Sequence, residues 1–176
     1  LADLGADVIK VEAGVRPDML RFSTRHESAD ADPWNSGGWF HQVNRNKRGI
    51  TLDLRMDRAR EVLKDLVAQA DVVVENFSRR VMGNFGLPYE ALSAINPRLV
   101  MISMPGFGDR GPYKDYVAFG EIIEAMAGLC SLTGYRDGNP MRSAIAFGDP
   151  VSGLHGSFAV VSALLDREVT GQGAGV

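Results

Sequence analysis

Between Ala146 and Gly156 the chain reads AFGDPVSGLHG, which sets one carboxylate, Asp149, between a glycine and a proline at the mouth of an apolar segment. A carboxylate so placed can act as a nucleophile or move a proton, provided that its surroundings keep it charged and aim it. Beyond Pro150, the residues Val151, Leu154, Phe158, Val161, Leu164 and Leu165 recur at three- and four-residue steps. This spacing predicts an amphipathic helix with Asp149 as its N-cap and Pro150 in its first turn. Unpaired backbone N–H groups and the positive end of the helix dipole favour a negative charge there. Gly148, with no side chain, would leave one flank of the carboxylate open. An ordinary structural cap fits the same residues, so the rest of the chain must decide between the two.

Other residues offer chemistry of their own. Arg45, Lys47 and Arg48, with Arg55 and Arg58 beyond, form a basic cluster that reads either as a solvated loop or as a seat for a polyphosphate. Asn76 and Phe77 end an apolar run, and an amide beside an aromatic ring suits an adenine or a pantetheine amide as well as a plain strand end. Gly106, Gly108 and Gly111 have the G-x-G-x-x-G spacing, but Pro112 and Lys114-Asp115-Tyr116 stand where a tightly packed helix should begin. A glycine-rich loop covering a neighbouring site is expected instead. His26, His41 and His155 lack metal-ligand spacing, so no metal site is expected. His155 reads as a packing or hydrogen-bonding residue. The lone Cys130, among Met126, Leu129 and Leu132, excludes an intrachain disulfide and reads as a small buried residue. Neither a G-x-S-x-G elbow nor a P-loop is present.

The elements that must carry these residues alternate. Leu1 to Ala6 reads as a helix end with Gly5 as its terminator, followed by a β-branched strand over 7–12. A long loop over 13–38 precedes a strand over 50–54, in which Ile50, Leu52 and Leu54 share one face. Helix 59–70, strand 71–77, helix 89–95, strand 99–104, helix 121–132 and the helix after Asp149 follow. In helix 121–132 the spacing turns Ile122, Ile123, Met126, Leu129 and Cys130 inward. Strands alternating with helices at this interval predict an α/β fold, a Rossmann-like parallel sheet with flanking helices. In such sheets ligands bind beyond the carboxyl ends of the strands.

The 176 residues are 45% hydrophobic and 23% charged, with a formal net charge of −3. This fits a soluble globular protein of one domain or part of a larger one, and speaks against a partner in nucleic acid or a membrane surface. No apolar run approaches the roughly 20 residues of a membrane span and no signal peptide is visible, so a cytoplasmic location is expected. The chain starts at Leu1 inside a helix-like LADLGA and stops at TGQGAGV, and is therefore expected to be incomplete.

Six segments taken together carry a resemblance. LADLGADVIKVE, NRNKRGITLDL, ADVVVENF, PGFG-x-x-GPY, EAMAGL-x-x-LTGY-x-DG-x-P and FGDPVSGLHG resemble, in this order, the family III coenzyme A transferases. This is the CaiB/BaiF group, which includes formyl-CoA, carnitine and benzylsuccinate CoA-transferases. The resemblance covers essentially all of residues 1–176. It implies part of the large domain of such an enzyme, without its first strand and C-terminal half, since full-length members are more than twice as long.

It further implies that Asp149 is the catalytic aspartate, that Leu52, Asp53, Leu54 and Arg55 line the CoA, and that Asn76, Phe77 and Ser78 contact it. The family's CoA-binding arginines align with Ala13 and Asn84 here, which leaves Arg79, Arg80 or the 45–48 cluster to replace them. In the implied mechanism the aspartate attacks an acyl-CoA thioester, giving a mixed anhydride and free thiolate. The thiolate returns to form an aspartyl-CoA thioester, which the acceptor carboxylate resolves. CoA and acyl-CoA are then substrates, with no tightly bound cofactor. The partners implied are an acyl-CoA, a carboxylic acid, and a second subunit in an interlocked homodimer or heterodimer. A chain of this length alone is expected to be unstable and weakly active. Two alternatives stand beside this one: an α-methylacyl-CoA racemase, whose histidine aligns with Phe119, and a non-catalytic CoA-binding or dimerisation module.

Overall fold

A computed structural model describes residues 1–22 and 33–176, and the chain divides into two compact units, Leu1–Glu61 and Val62–Val176. Each has its own parallel sheet. His26 lies outside the described residues.

In the first unit a short 3-10 turn, Ala2–Leu4, is closed by Gly5 at φ 102°, whose N–H donates to Ala2 O at 3.1 Å. The chain then enters β1 (Val8–Glu12), where the branched Val8, Ile9 and Val11 favour extension. β1 pairs in parallel with β2 (Lys47–Thr51), Val8 opposite Lys47 and Glu12 opposite Thr51. The connection holds a tight turn joining Ala13 to Arg16, 3-10 turns at Met19–Arg21 and Pro33–Asn35, and a helix, α1 (Gly38–Val43), that the sequence pattern did not announce.

The second strand thus sits three residues earlier than expected. Leu52 N still donates to Glu12 O at 2.9 Å, but Asp53 then accepts from Arg55 N at 3.1 Å. This side-chain turn ends the ladder before Leu54.

Helix α2 (Asp57–Val67) starts two residues before its apolar face does. Asn96 closes its far end by donating through Nδ2 to Val67 O at 3.1 Å and Ala70 O at 2.9 Å. Beyond it, β3 (Val72–Glu75), β4 (Val100–Ser103) and β5 (Ala174–Gly175) form a sheet in that order, all parallel. Between β3 and β4 lie α3 (Val81–Asn84), inside what reads as a loop, and α4 (Tyr89–Ile95). Between β4 and β5 lie α5 (Gly120–Met126), α6 (Leu129–Leu132) and α7 (Gly148–Thr170). The core of this unit is Val67, Met82, Leu87, Leu92, Leu99, Val100, Met101, Ile102 and Val160. The architecture is α/β with parallel sheets and flanking helices, as the alternation predicts.

Two helices turn a different face inward from the one their apolar spacing predicts. The single helix expected over 121–132 breaks at Gly128, which has φ 83°. In α5 the buried residues are Gly120 and Glu124, while Ile122 and Met126 are 43% and 54% exposed. Cys130, on α6, is half-buried rather than buried. In α7 Gly156 and Val160 face the sheet, and Leu154, Phe158 and Leu165 are exposed. The reason is close approach: a methyl group on Gly156 would stand 2.7 Å from Met104 Sδ, so the small-residue side of α7 lies nearest the sheet. At the other end of α7, Arg167 donates to Asp71 Oδ1 at 2.9 Å and Arg98 O at 3.2 Å, tying the helix to the entries of β3 and β4.

Candidate functional site

Asp149 is not the cap of α7. The helix begins at Gly148, Phe147 occupies the N-cap, and Asp149 is the second residue of the first turn. Its carboxylate still lies where N–H groups lack helical partners. Its backbone N–H donates to Ala146 O at 2.9 Å, and Ala146 has φ 44°, a left-handed conformation that a residue with a side chain adopts at a cost. The room beside the carboxylate comes from Gly120, on α5. A methyl group there would stand 2.6 Å from Asp149 Oδ1 and 2.9 Å from its Cγ. Gly148, expected to provide the clearance, instead faces Gly120 O and Ile123 at ordinary contact distance.

The turn before α7 is gripped by Glu124, which is 2% exposed. Its Oε1 accepts from Ser143 Oγ at 2.7 Å and from Phe147 N, and its Oε2 accepts from Ser143 N at 3.1 Å. Hydrogen bonds from Ser143 above all, with help from the Phe147 and Gly148 amides, outweigh burial and hold this carboxyl below its ordinary range.

A cleft of about 460 Å³ opens beyond the carboxyl ends of β3 and β4. One wall is Asn76, Phe77, Ser78, Arg79, Arg80 and Val81; another is Pro105 and Gly106; the rest is the segment from Lys114 to Phe119. The three predicted residues 76–78 are thus neighbours along one wall. Phe119, the last lining residue, is followed directly by Gly120, against which Asp149 rests.

The glycines of the loop have separate reasons. A methyl on Gly106 would lie 2.6 Å from Ala118 Cβ, whereas Gly108 and Gly111 have φ 74° and 94°. Phe107, Tyr113 and Tyr116 pack together with ring centroids 5.3–6.1 Å apart. The loop therefore folds on itself beside the cleft, with no helix at its end to receive a dinucleotide phosphate.

The other predicted residues, Leu52, Asp53, Leu54 and Arg55, belong to the first unit. Arg55 donates through Nε and Nη2 to Asp53 at 2.9 and 2.7 Å, and these bonds push the Asp53 carboxyl down to about 2. The basic cluster is largely engaged. Arg45 pairs with Asp3 at 2.6 Å, Arg48 pairs with Asp7, and Lys47 Nζ donates to Val43 O and Asn44 Oδ1. This favours a surface ion-pair network over a preformed polyphosphate seat. In the second unit Arg79 binds Asp109 at 2.6 Å and Arg80 binds Asp115 at 3.1 Å, yet both guanidinium-bearing residues line the cleft. Asn84 lies one helical turn after Arg80, its N–H donating to Arg80 O at 2.9 Å.

Among the described residues no cluster of His, Cys, Asp and Glu could hold a metal ion, and no helix is long and apolar enough to cross a membrane. His155 Nδ1 lies 2.8 Å from Val151 O, within its own helix. Sequence reasoning passed over Glu124 and Gly120. The signal available was Gly120 and Glu124 one turn apart in a short helix whose other residues, Glu121 aside, are apolar.

The sequence profile of CoA-transferase family III matches residues 1–176. A succinate–glutarate CoA-transferase from Agrobacterium fabrum is 40% identical over 175 residues, covering 98% of this chain and 44% of that protein. The β subunit of a succinyl-CoA–L-malate CoA-transferase from Chloroflexus aurantiacus is 39% identical, covering 98% of this chain and 42% of its own length. A crystal structure of a CaiB/BaiF family protein from Brucella suis superposes with a TM-score of 0.88 at 42% identity, over 99% of this chain and 46% of that one. The chain belongs to the family III CoA-transferases. It spans less than half the length of these relatives.

Proposed function

We propose that this chain is the part of a CoA-transferase large domain that binds CoA and carries the nucleophile, transferring CoA from an acyl-CoA to a carboxylic acid with Asp149 as the attacking group. One observation carries the reading: the Asp149 carboxylate stands in the first turn of α7 against Gly120, one residue from the cleft wall at Phe119. A carboxylate is a weak nucleophile and needs to be charged, shielded from water and aimed. The helix entrance supplies favourable electrostatics and α5 supplies the aim.

In the proposed sequence Asp149 attacks the thioester carbonyl, and the C–S bond breaks to give an aspartyl anhydride and CoA thiolate. The thiolate then attacks the aspartyl carbonyl of the anhydride, releasing the donor acid and forming the aspartyl-CoA thioester. The incoming carboxylate repeats these steps in reverse. Asn76, Phe77 and Ser78 bind the CoA at the strand ends, and Leu52, Asp53, Leu54 and Arg55 are assigned to CoA by the family resemblance alone. Arg79 and Arg80 contribute charge for its phosphates, Arg80 being one turn from the position where family members carry arginine. The names of the relatives favour a succinyl-type donor and a dicarboxylic acceptor. The exposed apolar side of α7, with Leu154, Phe158 and Leu165, favours further protein covering it, from the rest of the polypeptide or from a second subunit. A two-base racemase is disfavoured because Phe119 offers no proton donor.

The test is peptide mass spectrometry on the full-length protein after incubation with a panel of acyl-CoAs, comparing wild type with Asp149→Asn. A CoA or acyl adduct on the Asp149 peptide, absent from the variant, supports the transfer mechanism and names the donor. CoA exchange that persists in Asp149→Asn overturns it.

A further inference from the structure

Glu124 is a charged side chain on a helix that leaves its own Ile122 and Met126 in solvent, so its burial requires compensation by specific donors. Its hydrogen-bond donors Ser143 Oγ, Ser143 N and Phe147 N come from the five residues that lead into α7, and the amide of Gly148, where the helix starts, adds to them. One carboxylate therefore grips both ends of the 143–147 segment. Phe147 N is one of the helix-entrance groups with no intrahelical acceptor, and Glu124 provides one from another helix. The segment needs such a grip, because Ala146 within it holds φ 44°. Two residues after the grip comes Asp149, and one turn before Glu124 on the same face of α5 comes Gly120, on which the Asp149 carboxylate rests. The clamp and the backstop of the carboxylate thus belong to one short helix.

We propose that Glu124 is a positioning residue for the nucleophile: buried and charged, it fixes the entry of α7 so that Asp149 is held against Gly120 at the cleft edge. The inference rests on Asp149 being the nucleophile of the transfer proposed above. Glu124 itself touches neither CoA nor acyl group. Its effect falls on the rate of attack by Asp149, since a displacement of about 1 Å at a reacting group can cost about a hundredfold in rate while leaving distant binding contacts intact.

The experiment uses the full-length protein as wild type, Glu124→Ala, Glu124→Gln and Ser143→Ala. Single-turnover formation of the Asp149 adduct is followed by quenched mass spectrometry with the donor acyl-CoA that labels the wild type. Acyl-CoA affinity and thermal melting are measured on the same samples. Glu124→Ala is expected to slow adduct formation about a hundredfold with affinity changed less than twofold. Glu124→Gln keeps an acceptor for two donors but sets an NH2 against the third, and is expected to recover most of the rate. Ser143→Ala leaves both backbone donors and is expected to slow the reaction several-fold; with Glu124→Gln it carries the test if Glu124→Ala does not fold. Equal adduct rates in all folded variants, with only melting lowered, overturn the proposal and make Glu124 a purely structural tie. If the wild type forms no adduct with any donor, the assignment of Asp149 falls first and this inference with it.

Discussion

The α-carbon of Gly120 faces the carboxylate of Asp149 so closely that a single methyl group would stand 2.6 Å from Oδ1 and 3.0 Å from Ala146 Cβ. Two helices meet there with room for a hydrogen and nothing more. Gly120→Ala is therefore expected to displace the carboxylate, because Ala146 blocks the other way out. The transfer rate should fall by about one to two orders of magnitude with acyl-CoA affinity retained. Steady-state kinetics beside a CoA titration would show it, and an unchanged kcat would refute it.

A second expectation concerns charge at the cleft. Arg79 and Arg80 are both tied to aspartates on the glycine loop, so a phosphate arriving at the cleft competes with Asp109 and Asp115 for them. Replacing both arginines by alanine should weaken CoA binding by about tenfold, since hydrogen bonds to charged groups contribute on the order of 1.5–3 kcal/mol and exposure reduces that. The difference from wild type should shrink as salt is raised, because exposed charges are screened. Isothermal titration with CoA at two ionic strengths measures both effects.

Acid stability follows from four carboxylates, one of them Asp3, lowered first by its hydrogen bond from Arg45. Asp53 is held at about 2 by Arg55, Glu12 is lowered chiefly by its hydrogen bond from Arg21, and Glu124 is lowered by Ser143. In the unfolded chain such groups titrate near about 4. Between these values the folded state binds fewer protons than the unfolded one, so stability is fully present above about pH 5 and is lost as pH falls toward about 2. Melting temperatures should be flat from neutrality to about pH 5 and then decline. For Asp53→Asn, the deficit against wild type seen at pH 7 should close as pH approaches 2.

Among the glycines of the second unit, Gly173, where the chain returns into the sheet, has the least room. A methyl group on Gly173 would stand 2.0 Å from Leu99 O and 2.6 Å from Leu99 C, both backbone atoms that cannot turn aside. Gly173→Ala should destabilise by the upper end of the roughly 1–3 kcal/mol typical of overpacking, through loss of the β5 pairing. Urea denaturation of the full-length protein against wild type reads this directly, and an unchanged midpoint would sink it.

Much of this was legible from residue pattern alone, for reasons that differ by element. β1, β3 and β4 lie within two residues of their expected bounds because the runs VIKVE, VVVE and VMIS are branched and apolar, and a parallel sheet accepts little else. β2 slipped because its ladder is made by the backbone of Lys47, Arg48 and Gly49, polar and small residues that no apolar alternation reveals. The inward faces of α5 and α7 differ from their apolar stripes because periodicity finds a stripe without saying what packs on it. Here Gly156 and Glu124 were chosen by Met104 and Ser143, residues distant in sequence. Asp149 stood out from its local sequence, but its place in the first turn did not. That place depends on Ala146 adopting a left-handed conformation, which is uncommon for alanine.

Of the strand pairs described, β4 with β5 joins the residues farthest apart in sequence, and Glu124, Ser143 and Asp149 all lie in the connection between them. Pairing of Val100 with Ala174 closes that long loop, while β3 and β4 meet over a much shorter one. Because loop closure must precede the contacts that reward it, folding of this unit is expected to begin in the β3–α4–β4 segment. The helix entrance that holds the carboxylate is then among the last parts to take shape. A refolding protein would recover its far-ultraviolet signal before its capacity to be labelled at Asp149.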